Sequence, residues 1–292
     1  MAVTLANTVN HKVRRLLYRD LSTSHKSHRE GLSVPKDTTF PARCETGAAS
    51  VPMSRRMRIR AATLAEIKTI ARNLLSAHGP GGVSLRAIAR EMGMTAPALY
   101  RYFSSLDDLL LALRAEFFAE LSAQITDASG RLPADDVDGR LLAALRAFRS
   151  WALANRAEFI LLFGPRDEPF TTTEPHCAAL QHEKQRFAAI FLSLFNRLLE
   201  EGRVPLPDTA SFSPELRAQL HLFARDAGFA GANATEGALR VLTACWVRLY
   251  GLVCMEVFRS MPFTVGDLEP LFEAELCDVL TSIGVRYRAP HS

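Results

Sequence analysis

From residue 61 onward, apolar side chains recur every three or four positions with polar ones between them. Leu64, Ile67, Ala71, Leu74 and Leu75 share one face at helical spacing. The pattern stops at His78-Gly79-Pro80-Gly81-Gly82, a run that breaks any helix. Ser84 is a good N-cap for a second helix through Ile88 and Met92. Gly93 then permits a tight turn, and Thr95 caps a third, very short helix. Pro97 falls in its first turn, where a missing N–H costs nothing. Ser104 or Ser105 opens a longer helix with Asp107 and Asp108 at its positive end and Leu109, Leu110, Leu113 and Phe117 on its apolar face. Residues 127–139 read as a loop. Further helices are predicted over 140–155, 157–164, 174–201, 214–226, 235–259 and 267–283. Gly164-Pro165, Gly202 with Pro205 and Pro207, Ser213-Pro214 and Ser260-Met261-Pro262 punctuate them. No segment sustains strand alternation, so the fold class is all-α.

Composition allows a large core, since 48% of the 292 residues are hydrophobic. The net charge of +4 conceals an asymmetry. Residues 1–60 hold twelve Lys and Arg against four Asp and Glu, so the remainder is slightly acidic. A basic leading segment fits a polyanionic partner; a solvated tail is the other reading. Residues 1–54 lack periodicity, apart from a short basic helix at 11–21, and are expected to be a disordered basic extension. Five scattered cysteines have neither C-x-x-C nor zinc-ligand spacing. They suggest free thiols in a reducing cytoplasm, and the N-terminus has no apolar signal region. The apolar run from Leu239 to Phe258 is broken by Arg240, Arg248 and Glu256. It is expected to be a buried helix rather than a membrane span.

Residues 85–103 fit a helix-turn-helix. Ile88 and Met92 bury the first helix, and Ala89 is small where helices cross. Gly93 takes the turn, and Met94, Leu99 and Phe103 bury the second helix. An ordinary helical hairpin in a core is the alternative. A DNA major groove admits one helix, read by its N-terminal residues. Small residues at that tip, Ala96, Pro97 and Ala98, let the backbone approach base edges. Tyr100 and Tyr102 offer hydroxyls to phosphates, and Arg101 can read guanine through two hydrogen bonds.

The run VSLRAIAREMGMTAPALYRYFSSLDDLL resembles the DNA-binding domain of the TetR family of bacterial repressors. The match rests on Val83, Ser84, Ala89, Gly93, Leu99, Tyr100, Tyr102 and Phe103, and covers about residues 60–110. The resemblance implies that Ser84, Thr95, Tyr100 and Tyr102 meet phosphates, while Ala96, Pro97 and Arg101 face bases. One departure is that a Lys usual in the family soon after the Phe is here Leu106. The lost charge is expected to lower the salt dependence by about one phosphate contact. Arg55, Arg56, Arg58 and Arg60 are expected to compensate as an arm in the minor groove.

Residues 146–164 and 244–258 resemble the C-terminal domain of one actinobacterial TetR branch, through Trp246, Tyr250 and Gly251. The expected organisation is a DNA-binding domain at 55–104 followed by a ligand-binding and dimerisation domain at 105–292. The helix at 235–259 is apolar on several faces, which calls for cover on both sides. A second subunit is one cover, with Leu242, Leu249, Val253, Val257, Leu276 and Leu280 expected at the dimer interface; a large monomeric core is the other reading. Trp151, Phe159, Phe163, Phe187, Phe191 and Trp246 are the aromatic candidates for a ligand pocket, or else core filler. His176 and His182 do not share a helix face, so no metal site and no cofactor are expected. No G-x-S-x-G, P-loop, Rossmann glycines or HExxH occurs, which argues against an enzyme. The expected function is a homodimeric, operator-binding repressor released by an unidentified small molecule, acting in the cytoplasm without a membrane. A sequence-independent architectural nucleic-acid-binding protein is the alternative.

Overall fold

The computed structural model describes residues 54–164, 176–260 and 267–290. The expected basic helix at 11–21, the expected disorder of the leading segment and the Met261-Pro262 break lie outside the described residues. Ten α-helices occur among them: α1 Arg55–His78, α2 Leu85–Glu91, α3 Ala96–Leu99, α4 Leu106–Gly130, α5 Val137–Ala154, α6 Arg156–Phe163, α7 Cys177–Glu200, α8 Pro214–Ala227, α9 Glu236–Val257 and α10 Glu269–Ser282. None of the described residues is in a strand. Met53–Ser292 makes one compact unit.

Local chemistry sets the boundaries. Ser54 caps α1, its hydroxyl accepting from the Met57 N–H at 3.3 Å. Arg55, Arg56, Arg58 and Arg60 therefore lie in the first turns of a helix and not in an extended arm. Ser84 caps α2 by accepting from the Ala87 N–H at 3.2 Å. Gly93 then adopts φ +63. The Met94 N–H reaches the Ala89 carbonyl at 2.8 Å and the Gly93 N–H reaches the Arg90 carbonyl at 3.2 Å. This pair of bonds is a Schellman C-cap, which closes α2 and redirects the chain into α3. Ser105, rather than Ser104, caps α4 by accepting from the Asp108 N–H at 3.0 Å.

The loop expected at 127–139 is shorter than the sequence suggests. α4 continues to Gly130, and Asp136 starts α5 by accepting from the Gly139 N–H at 3.0 Å. An aspartate three residues before the glycine overrides the helix-breaking signal of the glycine itself.

α4 is the central rod. Its 25 residues span about 37 Å, from the end of the helix-turn-helix into the C-terminal bundle. It packs most extensively against α5 and α7. α9 and α10 form a pair anchored on α5 by two bidentate ion pairs. Arg146 binds Glu273 at 2.8 and 2.7 Å, and Arg149 binds Glu256 at 2.9 and 2.7 Å. Both arginines sit one helical turn apart on α5, so they fix which faces of α9 and α10 turn inward. Leu249, Val253, Val257, Leu276 and Leu280, expected at a dimer interface, are buried within the chain itself. Outward go Val247, 59% exposed, and Met255, 42% exposed, with Leu271 of α10. By length and composition alone α9 is long and apolar enough to cross a membrane. Only 28% of its most apolar stretch is buried, because its apolar side chains also face outward and into a cavity.

Gly93→Ala should destabilise the protein by about 1 kcal/mol in urea unfolding. A Cβ at this position meets nothing within 4 Å, so the loss would come from the backbone alone. An unchanged midpoint would contradict the turn assigned here.

Candidate nucleic-acid interface and internal cavity

α3 is one turn long, which is too short to persist alone. Leu99 and Phe103 hold it, both essentially fully buried, with Ala89 of α2 buried at the crossing. Its tip stays open. Thr95, Pro97, Tyr100 and Arg101 are exposed, Tyr100 by 52%, while Ala96 and Ala98 are half-buried. Thr95 stands at the N-cap position but its side chain makes no capping hydrogen bond. Tyr102 is half-buried beneath Arg60, whose guanidinium lies 5.0 Å from the ring centroid. The same guanidinium donates to the Arg101 carbonyl at 3.4 Å. The start of α1 is thereby pinned beside the end of α3.

Charge is partitioned between two sides of this region. Residues 54–104 carry nine Lys and Arg against Glu66 and Glu91. Lys68 pairs with Glu116 at 3.2 Å. Arg72 binds Glu120 at 2.8 and 2.9 Å and Glu158 at 2.9 Å, and covers the Phe117 ring at 4.9 Å. Those two cations fasten α1 to α4 and α6. The other seven, Arg55, Arg56, Arg58, Arg60, Arg86, Arg90 and Arg101, are exposed and make no ion pair among the described residues. The exposed surplus on this side is therefore positive. Leu106, where the family pattern has Lys, is half-buried against the core.

Sequence reasoning missed the seal between this region and the bundle. Asp108 is buried at the first turn of α4. It accepts from the Ser104 N–H at 3.0 Å and contacts His176 Nδ1 at 2.5 Å, while the His176 ring lies 5.7 Å from Phe103. Burial opposes ionisation of Asp108, but the bonds from His176 and Ser104 outweigh it and its pKa is lowered.

A cavity of about 170 Å³ lies between α4, α6, α7, α8 and α9. Phe163, Phe187, Phe191 and Trp246 line it, as do Phe118, Phe223 and Leu242. Trp151 and Phe159 do not line it; both are buried behind, Phe159 packing on Phe163 at 4.8 Å. Leu242, expected at an interface, faces this cavity instead. Phe118 was hidden by its neighbour Phe117, since adjacent helical positions point about 100° apart: Phe117 turns to Arg72 and Phe118 to the cavity. Trp246 stacks on Tyr250 at 5.3 Å, and the Tyr250 hydroxyl donates to the Phe163 carbonyl at 3.2 Å. α6 thus carries both a cavity wall, Phe163, and an anchor for α1, Glu158.

Residues 69–113 match the family model described as bacterial regulatory proteins, tetR family, and residues 141–279 match that of the tetracyclin repressor-like C-terminal domain. The second match spans α9. The chain is 30% identical over 197 residues to the HTH-type transcriptional regulators Rv1816 of Mycobacterium tuberculosis and Mb1846 of Mycobacterium bovis, covering 66% of this chain and 80% of each relative. Among solved structures, a candidate regulatory protein, SCO4313, superposes with a TM-score of 0.58 at 25% identity over 78% of this chain and all of that one. A tetR-family regulatory protein from Rhodococcus RHA1 superposes at 0.50 and 18% identity, over 77% of this chain and 98% of its own.

Asp108 gives a pH signature. Its folded pKa is depressed, so its contribution is present above the unfolded value of about 4 and disappears as pH falls through the folded value. Asp108→Asn should cost about 1–3 kcal/mol at pH 7, with the gap to the native protein closing below pH about 4 in urea titrations. A gap as wide at pH 3 as at pH 7 would contradict the role assigned to the carboxylate.

Proposed function

The chain belongs to the TetR family of bacterial regulatory proteins and is a DNA-binding transcriptional regulator; from that premise we propose that it works in the cytoplasm as a homodimeric repressor, released from its operator by a small molecule. The observation that carries the reading is the open, small-residue tip of α3 flanked by seven arginines that make no ion pair among the described residues. A blunt tip allows the backbone at Ala96 and Pro97 to approach base edges, with Arg101 reaching for guanine. Thr95, Tyr100 and Tyr102 donate to phosphates. Ser84 does so as well, because its cap uses only the acceptor side of the hydroxyl. Arg55, Arg56, Arg58 and Arg60, being helical, meet the phosphate backbone beside α3 rather than thread a minor groove. A general architectural binder would need the charge but not the held tip.

Dimerisation uses the outward faces of α9 and α10. Ala244, Val247, Gly251 and Met255 form one stripe at helical spacing, and Leu271 and Ala274 continue it on α10. A Cβ added to Gly251 would meet nothing within 4 Å, so the stripe has room for a close-approaching partner helix. Two-fold pairing of these helices makes a four-helix interface and sets two α3 tips about 34–36 Å apart. Release follows from the two elements that reach both sites. α4 begins at the α3 seal and carries Phe118, and α6 joins Phe163 to Arg72 through Glu158. A ligand that favours a different packing of these helices would change the separation of the tips.

Val247→Glu combined with Met255→Glu should convert a dimer into a folded monomer by light scattering and weaken operator binding more than tenfold; a native protein that is already monomeric would overturn the dimer. Alanine at all four of Arg55, Arg56, Arg58 and Arg60 should flatten the salt dependence of DNA binding by up to about 3–4 units of log–log slope per subunit, or about 7 for the dimer. An unchanged slope would remove α1 from the DNA contact.

A further inference from the structure

We propose that the internal cavity takes a small, neutral, planar molecule of one or two rings bearing a single hydrogen-bond acceptor, and selects against ions; this rests on the effector reading above. Size comes first. An apolar cavity of about 150 Å³ holds benzene, and this one measures about 170 Å³. Its shape comes from rings on five helices. Phe118 and Phe163 meet edge to face at 5.5 Å, and Phe187 lies 5.5 Å from Phe191 and 6.0 Å from Trp246. A flat π-system extends such offset and edge-on packing, whereas a bulky aliphatic does not.

Charge decides the rest. Among the described residues, the ionic side chains in the lining are Lys184 and Asp226, and they pair with each other at 3.3 Å. Both reach solvent, with side chains 33% and 62% exposed, so the pair is a neutral rim and not a buried receptor for an ion. A carboxylate or ammonium ligand would have to break that pair or lose its hydration among phenyl rings without a counter-charge. The ring faces offer a cation some return, so an ammonium compound belongs in the test. Among the described lining side chains, the indole N–H of Trp246 is the one neutral polar group. It is a donor only, which specifies a single acceptor on the ligand.

The chain has two tryptophans, and Trp151→Phe leaves Trp246 as the sole reporter, inside the cavity. This full-length variant is titrated with acetophenone, benzoate and benzylammonium, which share one phenyl ring. Binding is read by Trp246 emission and by calorimetry. The ketone should bind at least tenfold more tightly than either ion. Adding Ala188→Phe, which places a ring in the cavity, should abolish its binding while the far-ultraviolet spectrum stays helical. An ion that binds as tightly as the ketone, or no response to any of the three, overturns the proposal. DNA release is measured separately: a ketone that binds without loosening a DNA complex supports this ligand class while removing the release mechanism proposed above.

Discussion

A one-turn helix cannot hold itself together in water, because nucleation costs more than its few hydrogen bonds return. That constraint governs the N-terminal part of this protein. α3 exists only because Leu99 and Phe103 are buried below it, the Gly93 turn delivers the chain to it, and Asp108 ties off the residues that follow. The same shortness leaves its N-terminal end open. Stability is therefore supplied from underneath, and the residues at the tip are free to be chosen for what they touch.

The ionic side chains follow a related division. Arginines that pair with carboxylates serve assembly. Arg72 links three helices, and Arg146 and Arg149 orient α9 and α10 upon α5. Arginines that make no ion pair among the described residues collect around α3. An exposed ion pair adds little stability, but a bidentate pair whose carboxylate is buried, such as Arg149 with Glu256, fixes orientation because breaking it strands a desolvated charge. The inner and outer faces of the α9–α10 pair are settled in this way, and with them the surface that remains for a partner.

The helix-turn-helix was legible in the sequence because its determinants are local. Ser84, Gly93, Pro97 and Ser105 each act within a few residues, so spacing alone locates the turns. Ser54 was an equally local signal, overlooked because the arginines after it read as an arm in the minor groove. The interface and cavity residues were less legible, since helical periodicity reports that a position is apolar but not what covers it. α9 is apolar on three sides, toward α5, the cavity and solvent. Leu249 and Val247 look alike in sequence and lie on opposite sides of it. Their fates are decided by Arg149 and Glu256, 107 residues apart in the chain. Likewise nothing in composition places Trp151 behind the cavity wall and Trp246 in it.

The proposed function requires that the α3 tip reads bases, with two such tips held one helical turn apart. Selection of bound sequences from a random duplex pool with the purified full-length chain tests this. An inverted repeat whose half-sites are centred about 10 base pairs apart, or a multiple of that, should be enriched. A pool that is retained by the protein yet emerges with no preferred sequence would contradict it.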